Sequence, residues 1–525
     1  MTDPQVAIAE YAARSFGTFA ELFALQARAR QDHVAIVCDG EYISYKALDM
    51  LADGVAAGLQ RDGVKPGGVV TICAASSIAY AAVFIGTLRA GAVISPLSPS
   101  ATPEQLRAMI ADSGASHLFA DKAVADHLAP IADLITATRI ALEPGATGAA
   151  FDGWLPGGDA QPKPVEVGPD QAFNIIYSSG TTGTPKGIVQ PHSMRWNHVG
   201  RLGGYGAGAV TIVSTGLYSN TTLVSFLPAL GTGGTIVLMP KFEARAFLEL
   251  SEKHRATHAM LVPVQYRRIL EVPDFDRFDL SRYELKFATS APFSAELKAE
   301  VLRRWPGGLI EYYGMTEGGG SCMLAAHEYP DKLATVGQPM DGHDMRVIGE
   351  DGRFLPPGQV GEVVGRSAAM MKGYHNKPGA TAEAEWVSPA GDRYIRTGDL
   401  ASIDEDGFFT LIGRKKDMII SGGINIYPSD LEEALSAHAA VREAAVIGAP
   451  SERWGETPVA FVTLEPGVTA TPEELLAAAN ATLGKMQRVA EVRIIDELPR
   501  SAIGKVLKRE LQDQLAAQAA DQAKG

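Results

Sequence analysis

An apolar run, Ala172-Phe173-Asn174-Ile175-Ile176-Tyr177, passes without a spacer into Ser178-Ser179-Gly180-Thr181-Thr182-Gly183-Thr184-Pro185-Lys186-Gly187. The first part reads as a buried strand, since a short and nearly continuous apolar segment bounded by turn residues suits a sheet covered on both faces. The second part is too rich in Gly and small hydroxyl residues to extend it. A strand feeding such a loop can offer backbone N–H groups and hydroxyls to a polyphosphate, and Lys186 adds a fixed positive charge. The Walker spacing GxxxxGK[ST] is not met: Pro185 stands at its second glycine, and no Ser or Thr follows Lys186. P-loop kinases and GTPases are therefore disfavoured.

Upstream, from Phe19 to about Thr138, helical periodicity (FAELFALQARA, ALDMLADGVAAGLQ) alternates with apolar strand candidates (VAIVC, VVTICA), the pattern of a layered α/β body. Residues 143–169 are polar and rich in Gly and Pro, and read as a surface connection or lobe boundary with no element of their own. From Val336 to about Leu411, short β-rich pieces (MRVIG, GEVVGR, FFTLIG) are broken by turn residues, which implies a small hairpin-built subdomain. After Lys415, DLEEALSAH, AAVIGAP, PVAFVTL, TPEELLAAANATL and VRIIDELP form a compact α+β unit. The expected organisation is an N-terminal domain over 1–415, with its β-subdomain at about 336–415, and a C-terminal domain over 416–525. The tail from Gln512 reads as a weak helix or a frayed end.

A chain of 525 residues has room for several cores, and 46% hydrophobic with 21% charged residues is an ordinary globular balance. Its formal charge of −14 argues against a general nucleic-acid or anionic-membrane surface, so an anionic substrate needs a local basic pocket. Cys38, Cys73 and Cys322 are widely spaced and form no CxxC pair, which fits reduced thiols. The N-terminus lacks a basic start and apolar block, and no apolar run reaches the roughly 20 residues that span a bilayer. The expected location is cytoplasmic, without integral membrane association.

The string from Tyr177 to Gly187 resembles the signature loop of the adenylate-forming superfamily, which unites acyl-CoA synthetases, nonribosomal-peptide adenylation domains and luciferase-like enzymes. Further motifs follow in that superfamily's order. Ser290-Ala291-Pro292 matches its adenine-lining turn, and Tyr313-Gly314-Met315-Thr316-Glu317 matches its YGMTE motif. The resemblance implies that Ser178, Ser179, Gly180, Thr181, Thr182 and Gly183 cradle phosphates with Lys186. It also implies that the Tyr313 ring packs on adenine, with Gly314 in the same nucleotide site, that Thr316 reaches the α-phosphate and that Glu317 holds Mg²⁺. Asp399, in Thr397-Gly398-Asp399, would bind the ribose hydroxyls, and Arg414 would lie near ribose and phosphate, with Lys416 as the hinge. Gly422 and Gly423 would line a thiol tunnel, and Lys505, in the PRSAIGK segment, would be the catalytic lysine.

The resemblance thus implies a large multi-lobed domain of layered α/β sheets and a small mobile α+β lid. Its reaction would join a carboxylic acid to coenzyme A through an acyl-AMP, with ATP and Mg²⁺. Many relatives carry His at the acyl pocket where this chain has Ser219, within Gly216-Leu217-Tyr218-Ser219-Asn220-Thr221. Tyr218, Ser219, Phe226 and Tyr312 are candidate pocket residues, suited to an aromatic or arylalkyl acid, with a medium- or long-chain aliphatic acid as the alternative. His192 reads as a helix-start residue. Competing readings are an enzyme that loads a carrier-protein thiol, a luciferase-like oxygenase, and an inactive nucleotide-binding regulator. The last would have lost Lys186, Glu317 or Lys505, and all three are present. The sequence leaves the assembly open, a homodimer included.

Overall fold

Val34–Cys38 and Val69–Cys73, two of the apolar pentapeptides, are strands in different sheets of the computed structural model, which describes residues 4–157, 160–178, 185–201, 204–451, 453–484, 487–501 and 504–522. The chain divides into one unit of Met1–Ala334, Pro339–Met345 and Gly365–Ile395, and a second of Thr335–Gln338, Arg346–Val364 and Arg396–Gly525.

In the first unit, one sheet runs in the spatial order Ser321–Ala325, Gly308–Gly314, Leu285–Ala288, His258–Leu261, Val210–Val213, Thr235–Leu238, Val34–Cys38, Glu41–Ser44. Among these strands the pairing is parallel except between Ser321–Ala325 and Gly308–Gly314 and between Val34–Cys38 and Glu41–Ser44. The other runs Gly373–Tyr374, Lys186–Pro191, Ala172–Ser178, Val93–Leu97, Val69–Cys73, His117–Ala120, Thr138–Ala141, Ala149–Ala150, and is antiparallel only at the end that holds the phosphate-loop strands.

A single core joins Ile36 and Ile236 of the first sheet to Val70 and Ile94 of the second, through helices that include Phe19–Ala29, Tyr45–Arg61, Ile78–Arg89 and Asn220–Gly231. Helix Ile78–Arg89 is apolar all round and every residue from Tyr80 to Leu88 is buried, as an element enclosed on all sides must be. Ser77 caps it by accepting from the Tyr80 N–H at 3.1 Å. Its close approach to Tyr45–Arg61 depends on Gly86, where a Cβ would sit 2.6 Å from the Ala52 carbonyl oxygen. Each large apolar side chain buried in this way contributes about 1.5–3 kcal/mol.

One expectation is corrected. Residues 143–169 are more than a connection, for they contain strand Ala149–Ala150 and helix Phe151–Trp154. Phe151 and Trp154 are buried against Phe119, and the Trp154 indole donates to Asp62 at 2.6 Å. Two large aromatic residues in a polar stretch pin it to the body, a signal that the Gly/Pro content hid.

In the second unit, Asp399 to Ile403 pairs antiparallel with Phe409–Arg414, with a bulge between Leu400 and Ala401. The C-terminal sheet runs Ile424–Ile426, Ile419–Ser421, Gly455–Leu464, Val441–Ser451, and Glu491–Ile494 adds parallel to Gly455–Leu464. Helices Pro428–Ser436 and Pro472–Thr482 cover one core, and Leu511, on the C-terminal helix Lys508–Gln522, is buried in another. The tail is thus helical and anchored at its first turns. The layered α/β body and the α+β C-terminal fold are those expected from the sequence.

Candidate active site

Strand Ala172–Ser178 returns as Lys186–Pro191, with Tyr177 opposite Gly187 and Ser178 opposite Lys186. The sheet therefore fixes both ends of the candidate phosphate loop. Ser179, Gly180, Thr181, Thr182 and Gly183 lie outside the described residues, as does the Ser178 side chain. The half-buried Lys186 has its ammonium 5.1 Å from the centroid of the Tyr374 ring. Tyr374 belongs to the strand Gly373–Tyr374, paired on Lys186–Pro191, and its phenol donates to Glu317 Oε1 at 2.8 Å. Burial first, and then the Glu317 carboxylate, push the Tyr374 phenol well above its ordinary range, so it stays a donor. One aromatic residue thus stands between the cation and the carboxylate. The sequence reading missed it, because MMKGYHN carries no local signal of chemistry.

The Glu317 backbone is held as well. Its carbonyl accepts from the Met371 N–H at 2.8 Å, and the Gly319 N–H donates to Ala369 at 3.1 Å. One residue earlier, the Thr316 carbonyl accepts from Gln190 Nε2 at 2.7 Å. Gln190 is fully buried, and its carboxamide oxygen accepts from Asn174 at 2.9 Å and from Arg195. Arg195 also donates to Asn174 at 3.0 Å. Its guanidinium is buried without an acidic partner among the described residues, and burial pushes it down to about 9. Asn174, Gln190 and Arg195 went unremarked in the sequence. They read there as strand and helix polar residues, and only the sheet pairing shows that they converge on Thr316.

Tyr312 and Tyr313 point to opposite faces of Gly308–Gly314, with Tyr313 opposite Cys322 and the exposed Gly314 opposite Ser321. Beneath them, the buried Glu311 pairs with Lys298 at 2.5 Å, and burial raises its carboxyl to about 7 against the pull of that lysine. Ser290 has φ of +81°, an unusual backbone for a residue with a side chain, and its hydroxyl bonds to Thr221. Ala291 is half-buried and Pro292 exposed.

Among the candidate acyl-pocket residues, Tyr218 is half-buried and folded over Gly216, and its phenol is raised by burial against a hydrogen bond from Ser98. The buried Ser219 precedes helix Asn220–Gly231. Phe226 is fully buried and faces Phe84, with ring centroids 6.5 Å apart, inside the main core. Tyr312 stacks on Phe287 at 6.1 Å, and Phe287 lies 5.2 Å from Tyr205 and 6.1 Å from His258. Tyr205 and His258 are further residues that the motifs did not single out. His192 opens helix His192–Arg201 with its ring edge-on to Phe173.

In the second unit, Asp399 Oδ1 meets Arg414 Nε at 2.9 Å across the antiparallel pair. The Asp399 N–H donates to Thr397 Oγ1 at 3.0 Å, and that hydroxyl donates to Val363 at 3.0 Å. Lys505 is an exposed residue whose ammonium lies in the field of the same groups. Its pKa is lowered by desolvation first and then by Arg414 and Lys416, against Asp399 and Asp417. The turn that presents it is braced by Ser501, which accepts from the Lys505 N–H at 3.2 Å, and by Arg500, which donates to Gly504 at 2.7 Å. Lys416 is also lowered, by burial first. Gly422 and Gly423 have φ of +57° and +81° and form the two-residue turn joining Ile419–Ser421 to Ile424–Ile426, the backbone of a type I′ hairpin.

The described residues contain no cluster of three or more His, Cys, Asp or Glu able to hold a metal. A single carboxylate still fits Mg²⁺ carried on a nucleotide, which takes most of its ligands from phosphate and water. Glu317 is a donor of that kind.

Residues 23–375 match the AMP-binding enzyme family, and residues 430–505 match the AMP-binding enzyme C-terminal domain. A feruloyl-CoA synthase of Amycolatopsis sp is 34% identical over 93% of this chain and 96% of its own. An indoleacetate–CoA ligase of Aromatoleum aromaticum is 32% identical over 90% and 93%. The crystal structure of ATP-bound MatB from Rhodopseudomonas palustris superposes with a TM-score of 0.84 and 30% identity, covering 94% of this chain and 98% of that one. The chain belongs to the AMP-binding enzyme family of the adenylate-forming superfamily and is an AMP-forming acid–CoA ligase.

Proposed function

We propose that the acid is aromatic or arylalkyl and that the two half-reactions use the residues described above. The observation that carries this reading is the run of rings Tyr312, Phe287, Tyr205 and His258 behind the YGMTE strand. Flat aromatic walls favour a planar acyl group by offset and edge-on contacts. The feruloyl- and indoleacetate-directed relatives act on acids of that kind.

In the first half-reaction an oxygen of the carboxylate attacks the α-phosphorus of ATP, a P–O bond forms, and pyrophosphate leaves with the electrons of the broken P–O bond. Lys186 neutralises phosphate charge, Thr316 and the backbone around it orient the α-phosphate, and Lys505 offsets the charge gathered between carboxylate and phosphate. Mg²⁺ held by Glu317 would supply further charge neutralisation on the phosphates. Asp399 accepts from the ribose hydroxyls, in place of part of its present pairing with Arg414. The Ser290-Ala291-Pro292 turn and Tyr313 take the adenine. In the second half-reaction the thiol sulfur of coenzyme A forms a bond to the acyl carbon, AMP leaves, and the thiol proton passes to solvent. The Gly422–Gly423 hairpin serves this step, because its side-chain-free turn leaves room for a pantetheine arm. Lys416 is the backbone pivot between the two steps. Three buried free thiols, Cys38, Cys73 and Cys322, suit a reducing cytoplasm.

Pyrophosphate release across a panel of aryl, arylalkyl and fatty acids, with coenzyme A present, omitted, or replaced by a carrier-protein thiol, tests the reading. Aryl or arylalkyl acids should give the highest rates, with thioester formed on coenzyme A. Exclusive use of fatty acids, or transfer only to the carrier, would overturn it.

A further inference from the structure

Helix His192–Arg201 continues from the strand that carries Lys186 and Gln190 and runs beside the chain that follows Glu317. The Met194 methyl lies 3.0 Å from where a Cβ on Gly318 would begin. His198 is four residues on, one turn further along the same face. His343, whose ring accepts from the Ser321 N–H at 2.9 Å, acts on it electrostatically. His198 therefore borders the segment that closes the Thr316–Glu317 site.

Among the described residues the buried His198 Nδ1 has no hydrogen-bond partner, and none engages Nε2. The residue nonetheless keeps part of its surface open. Burial, helped by the charges of Arg195 and His343, holds it to about 3, so it is neutral at any physiological pH. His198 is thus strongly desolvated yet still partly open. Neighbouring elements show the same mark. Helix Asn220–Gly231 packs on His192–Arg201 through Gly231 and Val199 and is buried along its length except at Asn220 and Val224, one turn apart on one face. Tyr205 and Tyr312 are half-buried too, while burial raises both phenols.

We propose that these half-buried surfaces line the acyl pocket and that His198 is its specificity residue, reading a hydroxyl on the acid remote from the carboxylate. The proposal rests on the aryl acid–CoA ligase reading. A hydroxyl both donates and accepts, so it pairs with Nε2 in either neutral tautomer. A second carboxylate is a poor match, because a neutral imidazole offers it no charge. An acid without the hydroxyl leaves a desolvated ring nitrogen unmet, and sites built to pair with a substrate hydroxyl discriminate strongly against analogues lacking it.

The test compares kcat/KM for a ring-hydroxylated aryl acid and its deoxy counterpart, followed by pyrophosphate release in wild type, His198→Phe and His198→Gln. Wild type should prefer the hydroxylated acid by about 10- to 100-fold. His198→Phe, which keeps a ring but no nitrogen, should bring the ratio close to one, and His198→Gln should restore part of it. If His198→Phe does not fold, His198→Leu is read in the same way. An unchanged ratio in the Phe or Leu variant, or no preference in wild type, overturns the proposal, since a purely structural role lowers both rates together. Failure of every aryl acid to drive pyrophosphate release would instead overturn the ligase reading beneath it.

Discussion

Tyr374 donates a 2.8 Å hydrogen bond to Glu317, and its ring also seats the ammonium of Lys186. One side chain therefore links Lys186 to Glu317, the proposed phosphate-binding cation and the proposed metal-binding carboxylate. Tyr374→Phe keeps the ring and removes the donor. A hydrogen bond to a charged group contributes about 1.5–3 kcal/mol, so adenylation should fall about 10- to 100-fold. The apparent Mg²⁺ requirement, measured by pyrophosphate release against Mg²⁺ concentration, should shift with it. Tyr374→Leu, which also removes the ring, should be worse.

Lys505 should act in only one half-reaction. Lys505→Ala is expected to abolish acid-dependent pyrophosphate release while thiolysis of supplied acyl-AMP continues; equal loss in both steps would reject the assignment. Because the active form is the ammonium and its pKa is lowered, adenylation should decline on the alkaline side at a pH below the ordinary lysine value of about 10.4. A pH profile of the first half-reaction checks this.

Gly422 and Gly423 adopt backbones that cost an L-residue roughly 1–2 kcal/mol each. Gly423→Ala should slow thioester formation more than adenylation. Stopped-flow separation of the two steps distinguishes this from general damage to the fold, which would slow both.

Lys286 is fully buried, donates to the carbonyls of Trp305, Pro306 and Gly307, and is pushed by burial down to about 7. Its unfolded value is about 10.4. Below pH 7 both states hold the proton and the burial penalty is at its full extent. Between these values the unfolded chain binds a proton that the folded one has released, so stability rises with pH at up to about 1.4 kcal/mol per unit. Lys286→Met should flatten that rise, seen as a smaller gain in unfolding free energy between pH 7 and pH 9 than in wild type.

Much of the architecture could be read before any fold was known, because apolar pentapeptides such as Val34–Cys38 and Val69–Cys73 carry their own burial signal. Phe151 and Trp154 could not, since Gly and Pro around them look like a loop until Phe119 supplies the surface they cover. For the site, motif order nominates residues, but their partners are non-local. Gln190 meets Thr316 only because a strand and a turn far apart in sequence converge. Tyr374 meets Lys186 only because a two-residue strand pairs at the edge of the sheet.

That edge pairing has a bearing on synthesis. Ala172–Ser178 and Lys186–Pro191 can form their hairpin as soon as they emerge, but the strand that completes the edge arrives from far downstream. A nascent chain can thus own the two strands that flank the proposed phosphate loop well before Tyr374 exists to join lysine to glutamate. On the ribosome, catalytic competence should be gained late, and truncations ending before residue 374 should fold in part yet remain inert.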